Sequence, residues 1–140
     1  YDRIGELLGE AREKRREFGH RPVRDVGLYF SVRSRDGVGR DKPAPWFQGI
    51  QGAHKACVYE HLGFGFLFDE SLTSEGLGRF PVVCLPNVGI LSEREVALLR
   101  RYVEDGGNLV ITGHGGQFDP QGRPLANANL ESILKPIFRS

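Results

Sequence analysis

Residues 81–116 combine strand-like and helix-like hydrophobic patterns in one uninterrupted stretch. Residues 81–85 are a short β-branched run that stops at Pro86, which is typical of a buried strand. Ser92 and Glu95 then form a capping box ahead of Val96, Leu99 and Val103, which are apolar residues spaced i, i+3 and i+7. Gly106 and Gly107 end the segment. This pattern predicts a helix, and residues 109–112 predict a second strand. A strand, a crossover helix and a strand imply parallel pairing, so the stretch predicts an α/β sheet.

The rest of the pattern predicts two more strands and three more helices. Periodic apolar positions predict helices over residues 2–18, 46–62 and, near the end of the chain, within 130–138. Apolar runs predict strands over residues 26–31 and 64–68. Segments rich in Gly, Pro and charge predict irregular connections over residues 32–45, 70–80 and 113–129. The connection over residues 70–80 has room for a helical turn. Four such strands predict a doubly wound, flavodoxin-like parallel sheet of order 2-1-3-4. We expect Val26, Leu28 and Phe30 on a central strand, and Val82, Cys84 and Val110 in the core.

Loops at the carboxyl ends of the strands are where an open α/β sheet binds small molecules. The sequence places residues 32–45, 86–91 and 113–119 there, and the polar groups that they offer are Arg33, Arg35, Asp36, Asn87, His114 and Asp119. Trp46 adds an aromatic ring beside arginines, which is the composition of interface anchors. A tryptophan that caps the core of its own domain fits the pattern equally well. We also expect the loop around Phe118 and the exposed side of the N-terminal helix to be candidate contact surfaces.

Composition narrows the function classes. A chain of 140 residues fits one domain, and we divide it into a linker helix over residues 1–22 and an α/β domain over 23–140. The formal net charge of +1 gives no electrostatic support for nucleic-acid or membrane binding, and no apolar run reaches the ~20 residues of a membrane span. We therefore expect a soluble, cytoplasmic protein, and the missing initiator Met suggests a fragment or a processed chain. Neither a Walker motif nor a dinucleotide fingerprint is present, and two cysteines alone predict neither a metal site nor a disulfide, so we expect no cofactor.

The same stretch carries a resemblance to a known family. LPNVGILSEREVALLRRYVEDGGNLVITG, followed by FDPQGR, resembles the trimerisation (middle) domain of family 42 β-galactosidases and related glycoside hydrolases. Further matches are VGLYFSVRSRDGVGRD, WFQGIQGAHKA, FGFLFDESL and LANANLESIL, which together span most of residues 26–134. The resemblance implies a fold similar to class I glutamine amidotransferases, a non-catalytic role in assembly, and two partners: the catalytic barrel of the same protein and further copies in a homo-oligomer, a trimer.

Catalysis by the chain itself meets two obstacles. An amidotransferase needs a cysteine on a sharp strand-to-helix turn, in a G-x-C-x-G pattern. Here residues 112–117 read TGHGGQ, so Gly113 takes the place of the nucleophile, and Cys57 and Cys84 lie in predicted helix and strand interiors. A glycosidase of the family needs two carboxylates on a barrel of at least ~200 residues, and a chain of 140 residues cannot contain such a barrel. The alternative that stays open is a stand-alone amidotransferase-like or ThuA-like hydrolase, or a sugar-binding domain, with an atypical site.

Overall fold

The structure is a computed structural model that describes residues 2–17 and 22–134, without the side chains of Ser132 and Leu134. Two helices predicted from the sequence extend beyond these limits. Phe18, at the end of the first, and residues 135–138, at the end of the last, lie outside the described residues. Between these limits the chain forms one α/β sheet with helices on both faces.

All four strands are parallel. Strands β1 (Val26–Phe30), β2 (Phe64–Phe68), β3 (Val82–Pro86) and β4 (Asn108–Thr112) form a sheet of order β2-β1-β3-β4. The register places Leu28 beside Phe66 on one side and beside Cys84 on the other. The fold class and the predicted strand order are therefore confirmed, and β1 is a central strand as expected.

Six α-helices accompany the strands in the described part of the chain: α1 (Asp2–Glu13), α2 (Val32–Asp36), α3 (Pro43–Tyr59), α4 (Ser74–Leu77), α5 (Glu93–Glu104) and α6 (Glu131–Leu134). The predicted capping box starts α5: Ser92 Oγ accepts from the backbone N–H of Glu95 at 3.3 Å, and the Glu95 carboxylate accepts from the backbone N–H of Ser92 at 2.6 Å. No helix among the described residues is long and apolar enough to cross a bilayer.

The segment predicted as a loop over residues 32–45 is largely helical. The hydroxyl oxygen of Ser31 accepts from the backbone N–H of Ser34 at 3.1 Å and so caps the short helix α2. Pro43 then occupies the first turn of α3, where its missing N–H costs nothing. Helix α3 therefore starts three residues earlier than predicted and ends at Tyr59 rather than at residue 62. The irregular connection over residues 70–80 contains α4, capped by Thr73.

Each face of the sheet has its own apolar core. On one face α3 packs over β1 and β3, and this core contains Leu28, Trp46, Ile50, Cys57 and Cys84. On the other face α4 and α5 pack together, and the larger core there includes Tyr29, Leu67, Val83, Leu85, Leu99 and Tyr102. Helices on both faces of a parallel sheet are the doubly wound arrangement that the sequence predicted.

The prediction that Val110 is buried is wrong. Val110 lies on edge strand β4, on the same face as Cys84, and its side chain is 45% exposed. The reason is that α3 covers the two central strands and leaves this part of β4 uncovered. Cys84 is buried as predicted, whereas Val82 is only half-buried.

Candidate functional site

Three connections meet at the carboxyl ends of the strands. The hydroxyl of Ser34 in α2 accepts from the backbone N–H of Ile90 at 3.0 Å and donates to its carbonyl oxygen at 3.4 Å. The backbone N–H of Phe118 donates to the carbonyl of Gly89 at 3.0 Å. The connections after β1, β3 and β4 are thereby joined into one layer over the strand ends.

A partly buried polar network links the ends of β1 and β2 to the start of α5. The hydroxyl of Tyr29 donates to Asp69 Oδ1 at 2.8 Å and lies 3.3 Å from Glu95 Oε1. Glu95 Oε2 also accepts from Arg33 Nη1 at 2.8 Å and from the hydroxyl of Ser92 at 2.6 Å. The backbone N–H of Arg33 donates to Asp69 Oδ2 at 3.2 Å. We call Tyr29, Arg33, Asp69, Ser92 and Glu95 the Tyr29 network.

The electrostatics of the Tyr29 network keep the phenol protonated. Burial raises the pKa of Tyr29, and the negative charges of Glu95 and Asp69 raise it further. Tyr29 is 1% exposed and Glu95 is 7% exposed, so neither side chain is open to a ligand. Donors of the chain itself bond both carboxylates, so the network ties the ends of β1 and β2 to the start of α5.

Of the five members, only Arg33 was among the predicted site residues. The sequence contained weak signals for two others: Asp69 directly follows β2, and Glu95 is the third residue of a helix that starts beside the strand ends. The pairing with Tyr29 depends on sequence separations of 40 and 66 residues, which local patterns do not report.

Asn87 and His114 are brought together after β3 and β4. Asn87 Oδ1 accepts from the backbone N–H of His114 at 3.0 Å. The His114 ring lies with Nδ1 2.9 Å from Gln117 Oε1 and packs edge-on to Phe118, with ring centroids 5.6 Å apart. The His114 side chain is therefore used within its own loop.

Gly113, directly after β4, has a backbone that only glycine adopts easily. Its φ is +64°, and a Cβ atom there would lie 2.6 Å from Asn87 Oδ1. A cysteine at this position would be strained and would collide with Asn87. Asn87 therefore opposes any side chain at position 113.

The remaining predicted polar residues bond to their near neighbours in sequence. Arg35 and Asp36 form an exposed ion pair at 2.6 Å, and the hydrogen bond from Arg35 lowers the pKa of Asp36. Asp119 accepts from the backbone N–H groups of Gln121 and Arg123 in a tight turn, and these bonds, with the one from Arg123 foremost, lower its pKa. An open groove of about 570 Å³ lies between residues 36–41 and 118–122.

Trp46 belongs to the core of this domain. It is 3% exposed and packs edge-on to Phe30, with ring centroids 4.7 Å apart. Its Nε1 is buried without a hydrogen-bond partner among the described residues. Of the two interpretations that the sequence left open for Trp46, the structure places its ring in the domain's own core.

The two cysteines are unsuited to nucleophilic chemistry. Cys57 and Cys84 are free, buried thiols in the core beneath α3. Burial raises the pKa of both, that of Cys84 to about 11, so both are protonated at neutral pH. Among the residues described by the structure, no group of three or more His, Cys, Asp or Glu side chains is arranged to hold a metal ion.

Comparison with known proteins shows a likeness to a solved structure. No protein-family model matches this chain, and no curated protein sequence matches it. Among solved structures, the chain is similar to a β-galactosidase from Bifidobacterium adolescentis, with a TM-score of 0.66 and 19% sequence identity. The match covers 84% of this chain and 54% of the β-galactosidase chain, so this chain spans about half the length of the chain that it matches. At this level of identity, the likeness shows a shared fold.

Proposed function

We propose that this chain is a non-catalytic assembly domain of a larger, β-galactosidase-like glycoside hydrolase. The observation that carries the proposal is the fold that 84% of the chain shares with a bifidobacterial β-galactosidase. The motif resemblance to the trimerisation domain of family 42 enzymes points in the same direction. In this role the domain packs beside a catalytic barrel of its own protein and against further copies of itself.

The chemistry at the strand ends supports a non-catalytic role. An amidotransferase-like reaction needs a nucleophile at the end of β4, where a Cβ atom on Gly113 would collide with Asn87 Oδ1. The carboxylates of Asp69 and Glu95 are held by Tyr29, Arg33 and Ser92. A retaining or inverting glycosidase needs two carboxylates that face a sugar, whereas Glu95 is buried and bonded within the chain.

An activity assay tests the non-catalytic part of the proposal. The purified chain is incubated with glutamine and, separately, with aryl β-galactosides, and release of ammonia or of the aryl group is followed. We expect no turnover above the rate without protein. Turnover that is lost in Cys84→Ala or His114→Ala would favour the hydrolase alternative.

The gene sequence tests the proposal that this domain belongs to a larger protein. We expect an open reading frame of barrel size, at least ~200 residues, to precede the codon of Tyr1 in frame. A gene that encodes the α/β domain alone would contradict the proposal, whatever the activity assay shows.

A further inference from the structure

Helix α1 presents an apolar stripe that its own chain leaves uncovered. Ile4, Leu7 and Leu8 lie on one side of the helix and are 58%, 58% and 65% exposed, and none of the residues Asp2–Glu13 is buried. A helix of twelve residues is marginal in water, and most helices in proteins gain stability by burying such a stripe. Helix α1 therefore needs an apolar surface to pack against.

An apolar groove without a covering helix lies on the α3 face of the sheet. Phe66 and Phe68 on edge strand β2 point to the same face as Leu28, yet each is 43% exposed whereas Leu28 is fully buried. His54 of α3 stacks on Phe66 with ring centroids 6.4 Å apart. The β2 groove has a volume of about 370 Å³ and is lined by Phe30, Ile50, Gln51, His54, Phe66 and Phe68.

The helix and the groove have matching requirements. Six side chains line the β2 groove: four are apolar, one is the aromatic ring of His54, and one is the amide of Gln51. None of them carries a formal charge. The stripe on α1 is purely aliphatic, so docking would strand no charge. Helix α3 packs over β1 and β3 and leaves Phe66 and Phe68 of β2 exposed. The free position beside α3 is therefore where a second helix packs on a doubly wound sheet.

We infer that α1 of one copy docks into the β2 groove of a second copy. The helix does not occupy the groove of its own chain, where Phe66 and Phe68 stay exposed. A contact between two different patches is heterologous, and its repetition around a rotation axis closes into a ring in which every helix and every groove is used. Each copy then makes two contacts, one through its helix and one through its groove.

This inference rests on the proposed assembly function and specifies its surface. For the proposed trimer, the ring contains three copies. Two variants break the contact from opposite sides. Leu7→Gln/Leu8→Gln removes the stripe without touching the fold, since no residue of α1 is buried. Phe66→Thr/Phe68→Thr removes the groove with residues that keep strand propensity. Val110→Thr is the matched control, because Val110 is 45% exposed on the same face at the opposite edge.

Sedimentation velocity of the 140-residue chain measures how many copies the contact joins. We expect a trimer for the unchanged chain and for Val110→Thr, and a single chain for each double variant. A one-to-one mixture of the two double variants should form a two-chain complex and nothing larger, because one intact helix then meets one intact groove. Fluorescence of Trp46 during urea unfolding checks that each variant is folded.

Three results would overturn the inference: a single chain for the unchanged protein at every concentration, a trimer that survives the α1 variant, or no complex in the mixture. If the groove variant fails to fold, the α1 variant still decides, because its substitutions lie outside the core. A trimer that survives both variants would contradict this surface and leave the proposed assembly function standing.

Discussion

At the scale of single residues, Gly113 determines what the end of β4 can present. Its left-handed backbone and the nearby Asn87 oxygen both oppose a side chain at this position. The sequence identified Gly113 as a missing nucleophile by resemblance, but it did not reveal the contact with Asn87. That contact joins residues 26 positions apart and depends on the pairing of β3 with β4.

A pair of substitutions separates the two constraints on Gly113. We expect Gly113→Ala to lower the free energy of unfolding by about 1–3 kcal/mol, because the left-handed backbone and the contact both oppose a Cβ atom. Gly122→Ala is the control, since Gly122 has φ +78° and its Cβ atom would meet its nearest neighbour only at 3.9 Å. Urea unfolding followed by Trp46 fluorescence measures both. Equal losses would mean that the Asn87 contact contributes nothing.

A substitution of Glu95 tests whether the Tyr29 network stabilises the fold. We expect Glu95→Gln to cost about 1–3 kcal/mol, because a buried carboxylate that accepts from Arg33, Ser92 and Tyr29 is replaced by a group with one acceptor fewer. Glu75→Gln breaks an exposed ion pair with Arg79 and should change stability by less than about 0.5 kcal/mol. Unfolding free energies from urea titrations provide the comparison. A loss for Glu95→Gln as small as that of the control would show that the network does not stabilise the fold.

At the scale of elements, local patterns predicted well what local forces determine. The capping box and the closing glycines located α5, because both act within one turn of the helix. The helical start at Pro43 was missed, since charged and Gly-rich residues around it suggested a loop. The exposure of Val110 was missed for another reason: its β-branched run reads as buried, but burial depends on how far α3 extends across the sheet.

Helix α3 contains two glycines that should respond oppositely to alanine. A Cβ atom on Gly52 would meet no neighbouring element within 4 Å, so Gly52→Ala should raise the free energy of unfolding by about 0.5–1 kcal/mol through helix propensity. A Cβ atom on Gly49 would lie 2.9 Å from Asn87 Cβ. Gly49→Ala should therefore gain nothing or lose stability. Thermal unfolding of the two variants side by side makes the comparison, and a gain at Gly49 would contradict the packing of α3 on the β3–α5 connection.

At the scale of the whole molecule, the stability of the fold should fall in alkali partly through Cys84. Its pKa is about 11 in the folded chain, against 9.0 as the ordinary value. Between these values the unfolded chain has lost this proton and the folded chain retains it. Rising pH then lowers the free energy of unfolding by up to about 1.4 kcal/mol per pH unit from this group, and below pH 9 the group contributes no slope.

Urea unfolding on both sides of pH 9 checks this dependence, with Cys84→Ala as the control. Tyr29, Tyr102 and Cys57 also have raised pKa values, so the control removes only part of the slope. An identical slope in the two proteins would mean that Cys84 is not buried in the way described.

The candidate site was predicted less completely than the sheet. The positions of Asn87 and His114 after neighbouring strands followed from the strand order, and the structure brings them together. The Tyr29 network was missed because a tyrosine inside an apolar strand has no local pattern that distinguishes it from a core residue. Arg35, Asp36 and Asp119 are polar residues at the predicted edge, but their partners are their own neighbours in sequence.

The most direct test of the assembly role is sedimentation equilibrium of the full-length gene product with and without residues 23–140. The account predicts that the intact protein is a trimer and that the deletion variant sediments as a single chain while its catalytic barrel still hydrolyses an aryl galactoside. Retained hydrolysis shows that the rest of the protein is folded. A deletion variant that remains an oligomer of unchanged size would contradict the account.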